Sequence, residues 1–491
     1  MLRNPTAGSE LTVDTRRRSI GFGDNLKEIC KNGELIFLGP NSLPAAILIS
    51  IFLKYSHCAA LLLVLRQRFQ AIYAIIHRKT YRMLPSSRQV LVLGGSFAGT
   101  SVARRLANTL PSGYTVTLLE KHSHFHYAFA FPRFSVVGGL ESKAFVPYNG
   151  IAVGAPKGIL QLVQGEAKSV NFNEKQVDLV DGRSIPYEYL VVATGAAQPP
   201  PTRLRSVSRP DAIEELQSFQ QQIKSAQNIA VIGGGAAGIQ LVADIKDTYP
   251  DKKVTLIHSR DHLLPRFGSK LHEYVFEQLK KLGINVLLNE RPNIPSPRNF
   301  KQNDDGKARN VLTLADGSQQ SFDLILPCTG LRPNSGMFLP GASRCLAPNG
   351  EILVGKTLQI QNIASGADSN ASSVFHDGHY FALGDIAHTG GPKQARAALF
   401  QAEIVVQNIL KLISGNSTLK TYTPIPLEGS LKLTLGKVNE VIYARLPSFE
   451  FLQPATQHGN DVGCSEMWKR LNAREDMEEE GKEKMKITAE L

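Results

Sequence analysis

Two segments of this 491-residue chain repeat one order of strand, glycine-rich loop, helix and strand, and the repeat predicts an α/β fold with two Rossmann-type dinucleotide-binding domains. The first apolar run, Gln89 to Leu93, meets Gly94-Gly95-Ser96-Phe97-Ala98-Gly99, then a helical stretch Thr100 to Leu110 and a second run Tyr114 to Glu120. About 140 residues later, Asn228 to Ile232 meets Gly233-Gly234-Gly235-Ala236-Ala237-Gly238, a helical stretch to Asp247 and the run Lys253 to His258. A further apolar strand follows each unit and ends alike, in Ala193-Thr194-Gly195 and in Cys328-Thr329-Gly330.

The second loop carries the full Gly-x-Gly-x-x-Gly spacing. Gly233 permits the tight turn, Gly235 lets backbone approach a pyrophosphate, and Gly238 lets helix and strand pack closely. N–H groups at the helix start then hold phosphate. The first loop has Ser96 at the middle position, whose Cβ crowds a pyrophosphate while its hydroxyl can donate to it. Glu120, at the end of the next strand, stands where an acid accepts the ribose hydroxyls of an adenosine. The equivalent place in the second unit holds His258-Ser259-Arg260, with no acid before Asp261. Arg260 there suits a 2′-phosphate, with Ser259 as a further donor and His258 adding charge when protonated. NADPH is therefore expected to serve at least as well as NADH.

Length and composition agree with two or three packed domains. The five cysteines, Cys30, Cys58, Cys328, Cys345 and Cys464, form no C-x-x-C or C-x4-C pair, which argues for a reducing compartment. Cys328, inside an apolar strand, reads as core. Residues 296–310 and 362–373 read as polar loops, Ala197 to Arg209 with its three prolines as a hinge, and the tail from Glu466 as a charged, solvated helix.

The net charge of +12 is unevenly spread: residues 1–88 hold 13 Lys and Arg against 5 Asp and Glu, and no acid occurs between Glu34 and Glu120. This basic region overlaps an apolar stretch, Leu43 to Leu65, and continues with Leu65, Phe69, Ile72 and Ile76 at helical spacing. An anionic membrane surface fits that mixture better than nucleic acid. Lys54 and His57 at the centre of the stretch make a single span marginal and an interfacial position equally consistent. An amphipathic helix packed on the enzyme is the third option.

One more strand end, Leu383-Gly384-Asp385, completes a set of five motifs in order. Together they resemble the pyridine nucleotide-disulfide oxidoreductase superfamily over residues 88 to about 413. The resemblance implies an FAD domain with an inserted NAD(P)H domain and a small C-terminal region. The corresponding boundaries are 1–87 for a basic extension, 88–200 and 336–415 for the FAD domain, 201–335 for the NAD(P)H domain and 416–491 for the C-terminal region. It further implies FAD adenosine on Glu120, pyrophosphate along Gly94, Gly95, Ser96, Phe97, Ala98 and Gly99, and ribityl on Asp385. Lys121, Arg133, Ala193, Thr194, Gly195 and Gly330 complete the expected cofactor residues. A helix starting at Pro392, with Lys393, is expected to stabilise charge on the reduced flavin.

The segment Lys121-His122-Ser123-His124-Phe125-His126-Tyr127, with Gly391-Pro392-Lys393, Leu435-Gly436-Lys437 and Trp468-Lys469, is similar to the ferroptosis-suppressor branch of the apoptosis-inducing-factor-like family. That branch implies an intracellular NAD(P)H:quinone oxidoreductase on a cytoplasmic, mitochondrial or lipid-droplet membrane surface. Met1-Leu2 offers no glycine for myristoylation, so attachment by that route is not expected. The histidines read as cavity-lining or flavin-adjacent rather than as metal ligands, and Trp468 as an anchor. A reductase of a ferredoxin or rubredoxin, and a signalling or DNA-binding flavoprotein, are the competing functions.

Overall fold

Apolar runs with a glycine at one end and a helix beyond it should pair in parallel, because the intervening helix returns the chain to the same edge of the sheet. The computed structural model shows this twice. It describes residues 74–293, 301–302, 308–339, 342–362, 375, 377–445, 449–457 and 459–475. The stretch Leu43 to Leu65 and residues 476–491 lie outside these. Ala74–Leu491 forms a compact unit.

In the first sheet, β1 (Arg88–Leu93) leads through α1 (Phe97–Ala107) to β2 (Tyr114–Glu120), followed by β3 (Leu160–Gln164) and β4 (Tyr189–Val192). The second unit follows, with α2 (Arg209–Ser225), β5 (Asn228–Ile232), α3 (Ala236–Thr248), β6 (Lys253–Ile257), α4 (Ser269–Lys281), β7 (Asn285–Leu287) and β8 (Leu324–Pro327). The chain then returns to the first sheet as β9 (Tyr380–Ala382) and α5 (Ala395–Ile413). Strand order is β9-β4-β1-β2-β3 in one sheet and β7-β6-β5-β8 in the other, all parallel. The second sheet is thus inserted between β4 and β9, whose Leu190 and Tyr380 are Cα partners.

The central strands Val90–Leu93 and Ile229–Val231 are completely or nearly buried, because each sheet is covered by helices on one face and by antiparallel strands on the other. The glycine requirement is steric. Gly94 (φ +98°) and Gly233 (φ +127°) are left-handed, and a Cβ on them would lie 2.5 Å from the Ala193 carbonyl oxygen and 2.4 Å from that of Cys328. The two Thr-Gly strand ends therefore recur because each abuts the first glycine of a loop. A Cβ on Gly99 or Gly238 would strike the carbonyl of Gly94 or Gly233 at 1.7 and 2.0 Å, so these glycines set how closely α1 and α3 pack.

Beyond α5 come an antiparallel sheet, β10 (Leu431–Leu435), β11 (Asn439–Arg445) and β12 (Glu450–Thr456), and the helix α6 (Cys464–Leu471). Leu433, Leu435, Val441 and Tyr443 join the core of the second unit, against α3 and α4. The helix then crosses to the first unit, where Trp468 Nε1 donates to the Lys143 carbonyl at 2.9 Å and acts as the expected anchor. Two expectations are corrected here. The tail helix is not simply solvated, since it buries Cys464, Met467 and Leu471. Part of the 296–310 stretch is strand, because Ala308–Thr313 finds a partner in Gln319–Phe322.

The last part of the basic extension belongs to the compact unit. Residues 74–80 are helical; His77 Nε2 lies 2.7 Å from the Leu110 carbonyl and Tyr81 Oη donates to that of Tyr114 at 2.8 Å. Ile75, Ile76, Met83 and Leu84 remain exposed on the other side.

Candidate functional site

Both glycine loops open on one cleft of about 2410 Å³ at the C-terminal ends of the strands, where open α/β sheets bind ligands. Of the residues expected from sequence, Gly94, Ser96, Phe97, Ala98, Glu120, Lys121, Ala193, Thr194 and Gly195 line it from the first unit. Gly233, Gly235, His258, Arg260 and Gly330 line it from the second, and Asp385 and Lys393 from the returning segment. Gly95, Gly99 and Gly238 lie behind them as packing positions. Ser96 caps α1 with extended backbone and no side-chain capping bond; Gly235 holds the same position on α3, its α-carbon open to space. Both helix starts therefore present free N–H groups to the cleft.

Glu120 is held from two sides. Its carboxylate accepts the Gly95 backbone N–H, the His122 N–H at 2.9 Å and the His122 ring Nδ1 at 2.6 Å. Burial opposes its ionisation, but the His122 ring and the two backbone donors prevail and hold its pKa below the usual carboxylate value. Tyr148, buried beside it, donates to the Gly95 carbonyl at 2.8 Å. Sequence alone assigns this role to neither His122 nor Tyr148. A histidine two residues past the strand carries a weak signal, and Tyr148 carries none.

In the second unit, His258 takes the place of Glu120. Its Nδ1 accepts the Gly234 backbone N–H at 3.1 Å, so the proton resides on Nε2. Burial, followed by Arg260, lowers its pKa. His258 therefore acts as an acceptor toward Gly234, and its lowered pKa narrows the pH range over which it adds charge. Arg260 is exposed and lines the cleft; Asp261 is turned onto His262 at 2.5 Å.

Asp385 is partly buried, and desolvation raises its carboxyl pKa against the opposing pull of Arg203, Lys393 and Arg266. Arg203 and Arg266 line the cleft and had no sequence signal: the first lies in the proline-rich hinge, the second in a short loop. The hinge is braced where the two crossings run side by side. Ala196 and Ala197 pair with Pro333 and Arg332, and Asn334 Nδ2 donates to the Thr194 carbonyl at 2.9 Å.

Two further expectations are corrected. Arg133 does not reach the cleft: it is 1% exposed and donates to Asp244 of α3 at 2.7 Å and to the Gly436 carbonyl at 2.6 Å. A guanidinium this deep requires a carboxylate, and α3 supplies one. The helix expected from Pro392 begins at Ala395, with Gln394 as its cap, and the Lys393 ammonium binds the Ala387 carbonyl at 2.5 Å and Glu351 at 3.1 Å. The cysteine expectation holds for Cys328, whose thiol is pushed up to about 12 by burial.

Residues 88–402 match the family model described as pyridine nucleotide-disulphide oxidoreductase, which spans both sheets and the cleft between them. The chain belongs to this family. It is an NAD(P)H-dependent flavoprotein oxidoreductase whose cofactors are FAD and NADH or NADPH. Among curated relatives, it is 32% identical to Fe-regulated protein 8 of Mycosarcoma maydis, covering 72% of this chain and 88% of that one. It is 30% identical to ferroptosis suppressor protein 1 of Taeniopygia guttata, covering 74% and 92%. Among solved structures, the sulfide:quinone oxidoreductase of Aquifex aeolicus shares the fold, with a TM-score of 0.59 at 16% identity over 78% of this chain and 90% of that one.

Proposed function

We propose that this protein is an NAD(P)H:quinone oxidoreductase working against an anionic membrane surface. The observation that carries the redox part is the pair of glycine cradles facing one cation-lined cleft, which lets two dinucleotides meet end to end. In this reading FAD lies on the first cradle. The Ser96 hydroxyl and the N–H groups at the start of α1 take its pyrophosphate. Three of the roughly four acceptor sites of the Glu120 carboxylate are filled by Gly95 and His122, which leaves one for a ribose hydroxyl. Asp385 receives the ribityl chain, with Arg203 and Arg266 countering its charge.

Bound FAD would supply a two-electron carrier between the nicotinamide and the acceptor. NAD(P)H lies on Gly233 and Gly235, with Gly238 packing behind the loop and Arg260 at the adenosine ribose. The protein's task is chiefly alignment, because hydride transfer requires the reacting atoms to be held within about 3–3.5 Å. NAD(P)H, a quinone and one proton give NAD(P)+ and the hydroquinone.

A quinone-class acceptor is supported by the likeness to ferroptosis suppressor protein 1 and by the shared fold of a sulfide:quinone oxidoreductase. The buried thiol of Cys328 and that of Cys345, also pushed up to about 12, are not poised for disulfide exchange. The membrane part rests on the exposed Ile75, Ile76, Met83 and Leu84 beside Arg78, Lys79 and Arg82. Steady-state turnover of the purified full chain with a short-chain benzoquinone against a ferredoxin tests the acceptor. Faster turnover with the ferredoxin overturns it.

A further inference from the structure

The cleft is lined mainly by glycine backbone and cations, yet one stretch of its wall is aromatic. Phe97 opens α1, and Tyr127 and Phe129 follow the short strand His124–His126. All three line the cleft. The Phe97 and Phe129 ring centroids are 5.3 Å apart, and Tyr127 meets Phe129 edge-on at 5.6 Å and 85°. Phe97 is itself fixed edge-on to the buried Phe125 at 5.1 Å. The set is therefore a rigid aromatic surface resting on core. Phe129 is nonetheless 52% exposed.

A second part of the lining comes from residues more than 330 positions away in the chain. Val462 and Met467 of the α6 segment line the same cleft. The Tyr127 hydroxyl donates to the Val462 carbonyl at 3.2 Å, and a Cβ on Gly463 (φ +89°) would lie 3.0 Å from that hydroxyl. The backbone at Gly463 is thus drawn onto the tyrosine, while α6 is held through Trp468 and its buried residues. Both parts of the lining are anchored; Asp461, Glu466 and Arg470 border Val462 and Met467, and one aromatic ring, Phe129, is left open. The N–H groups of α1 beside Phe97 belong to the glycine cradle, and the exposed face of the Phe129 ring offers phosphate and ribose no donor. A flat conjugated ring with an apolar substituent suits it, by offset or edge-on stacking and by burial of apolar area.

We infer that the recess formed by Phe97, Tyr127 and Phe129 under Val462 and Met467 is the binding site for the ring of the electron acceptor, a quinone-type headgroup. This rests on the quinone reading above and adds the place where that acceptor sits. Phe129, the exposed ring, is the residue whose removal is most selective.

The test uses the full-chain holoenzyme with saturating NAD(P)H and a short-chain benzoquinone. Phe129→Ala is expected to raise the quinone KM about tenfold or more, with kcat changed less than twofold and the flavin-to-protein ratio unchanged. Phe129→Tyr, which keeps the ring, should restore KM to within twofold of wild type. An unchanged KM in Phe129→Ala overturns the site. So does a fall in flavin content that accompanies the KM change, because the ring would then be packing against the flavin. Wild-type enzyme that reduces a ferredoxin but not the benzoquinone overturns the acceptor class itself, a result distinct from either of these.

Discussion

His258 Nδ1 accepts the backbone N–H of Gly234 at 3.1 Å, the same contact that Glu120 makes with Gly95 in the other unit. The two glycine loops thus use one device with different chemistry, a carboxylate in the first and a neutral imidazole in the second. A carboxylate there reads a ribose 2′-hydroxyl and repels a 2′-phosphate; an imidazole beside Arg260 does neither. NADPH should therefore be used at least as well as NADH. Arg260→Ala should cost NADPH about tenfold or more in kcat/KM, in line with ~1.5–3 kcal/mol for a charged hydrogen bond, and NADH much less. His258→Glu should shift preference toward NADH by a similar factor. Ratios of kcat/KM for the two donors decide this, and a wild-type preference for NADH above tenfold contradicts it.

On the proposed placement of FAD, flavin retention should depend on Asp385. Removing its carboxylate takes away a hydrogen-bond partner of ~1.5–3 kcal/mol for the ribityl chain and leaves Arg203 without its counter-charge. Asp385→Ala should be purified with depleted flavin, read from the ratio of flavin to protein absorbance. Yellow protein at full occupancy with normal turnover would refute the assignment.

Arg133 should matter for stability rather than for flavin. Arg133→Ala leaves Asp244 buried without its cation, a loss of about 3–5 kcal/mol for a broken buried pair. Burial already pushes Asp244 up to about 6, against Arg133, and removing the arginine raises it further. A carboxyl whose pKa is higher folded than unfolded adds most stability below its unfolded value, near 3.8, and loses that contribution as pH rises through the folded one. The variant's deficit, measured by thermal unfolding, should therefore be larger at pH 8 than at pH 6. Flavin content of the folded fraction should stay normal. A deficit that shrinks with rising pH contradicts the pairing.

The exposed face of residues 75–84 gives a membrane prediction. The full chain should float with vesicles containing anionic lipid and less so as salt rises, since each basic residue contributes about 1 kcal/mol that salt screens. His77 and Tyr81 hold this segment to the enzyme, so substitutions at Ile75 and Ile76 test the surface without undoing the fold. Ile75→Asp combined with Ile76→Asp should lower the bound fraction about tenfold. Unchanged flotation means that this face does not touch the bilayer.

Local sequence was enough to specify the two dinucleotide units, their glycine loops and the acid at Glu120, and the insertion of one unit into the other followed from the family resemblance that the five motifs carry. These are features of backbone, in which a left-handed turn, a close helix approach or a buried parallel strand restricts residue type over a few adjacent positions. Where the charged side chains find partners became visible in the folded chain alone. Arg133 meets Asp244 and Gly436, 111 and 303 positions away, and Lys393 meets Glu351 across a turn of the fold. His258 reads from sequence as a group that adds charge when protonated; only the fold shows that its ring accepts the N–H of Gly234. Arg203 carries no motif and enters the cleft because the hinge is braced there. Long side chains choose among partners that folding brings together, and local sequence does not restrict that choice.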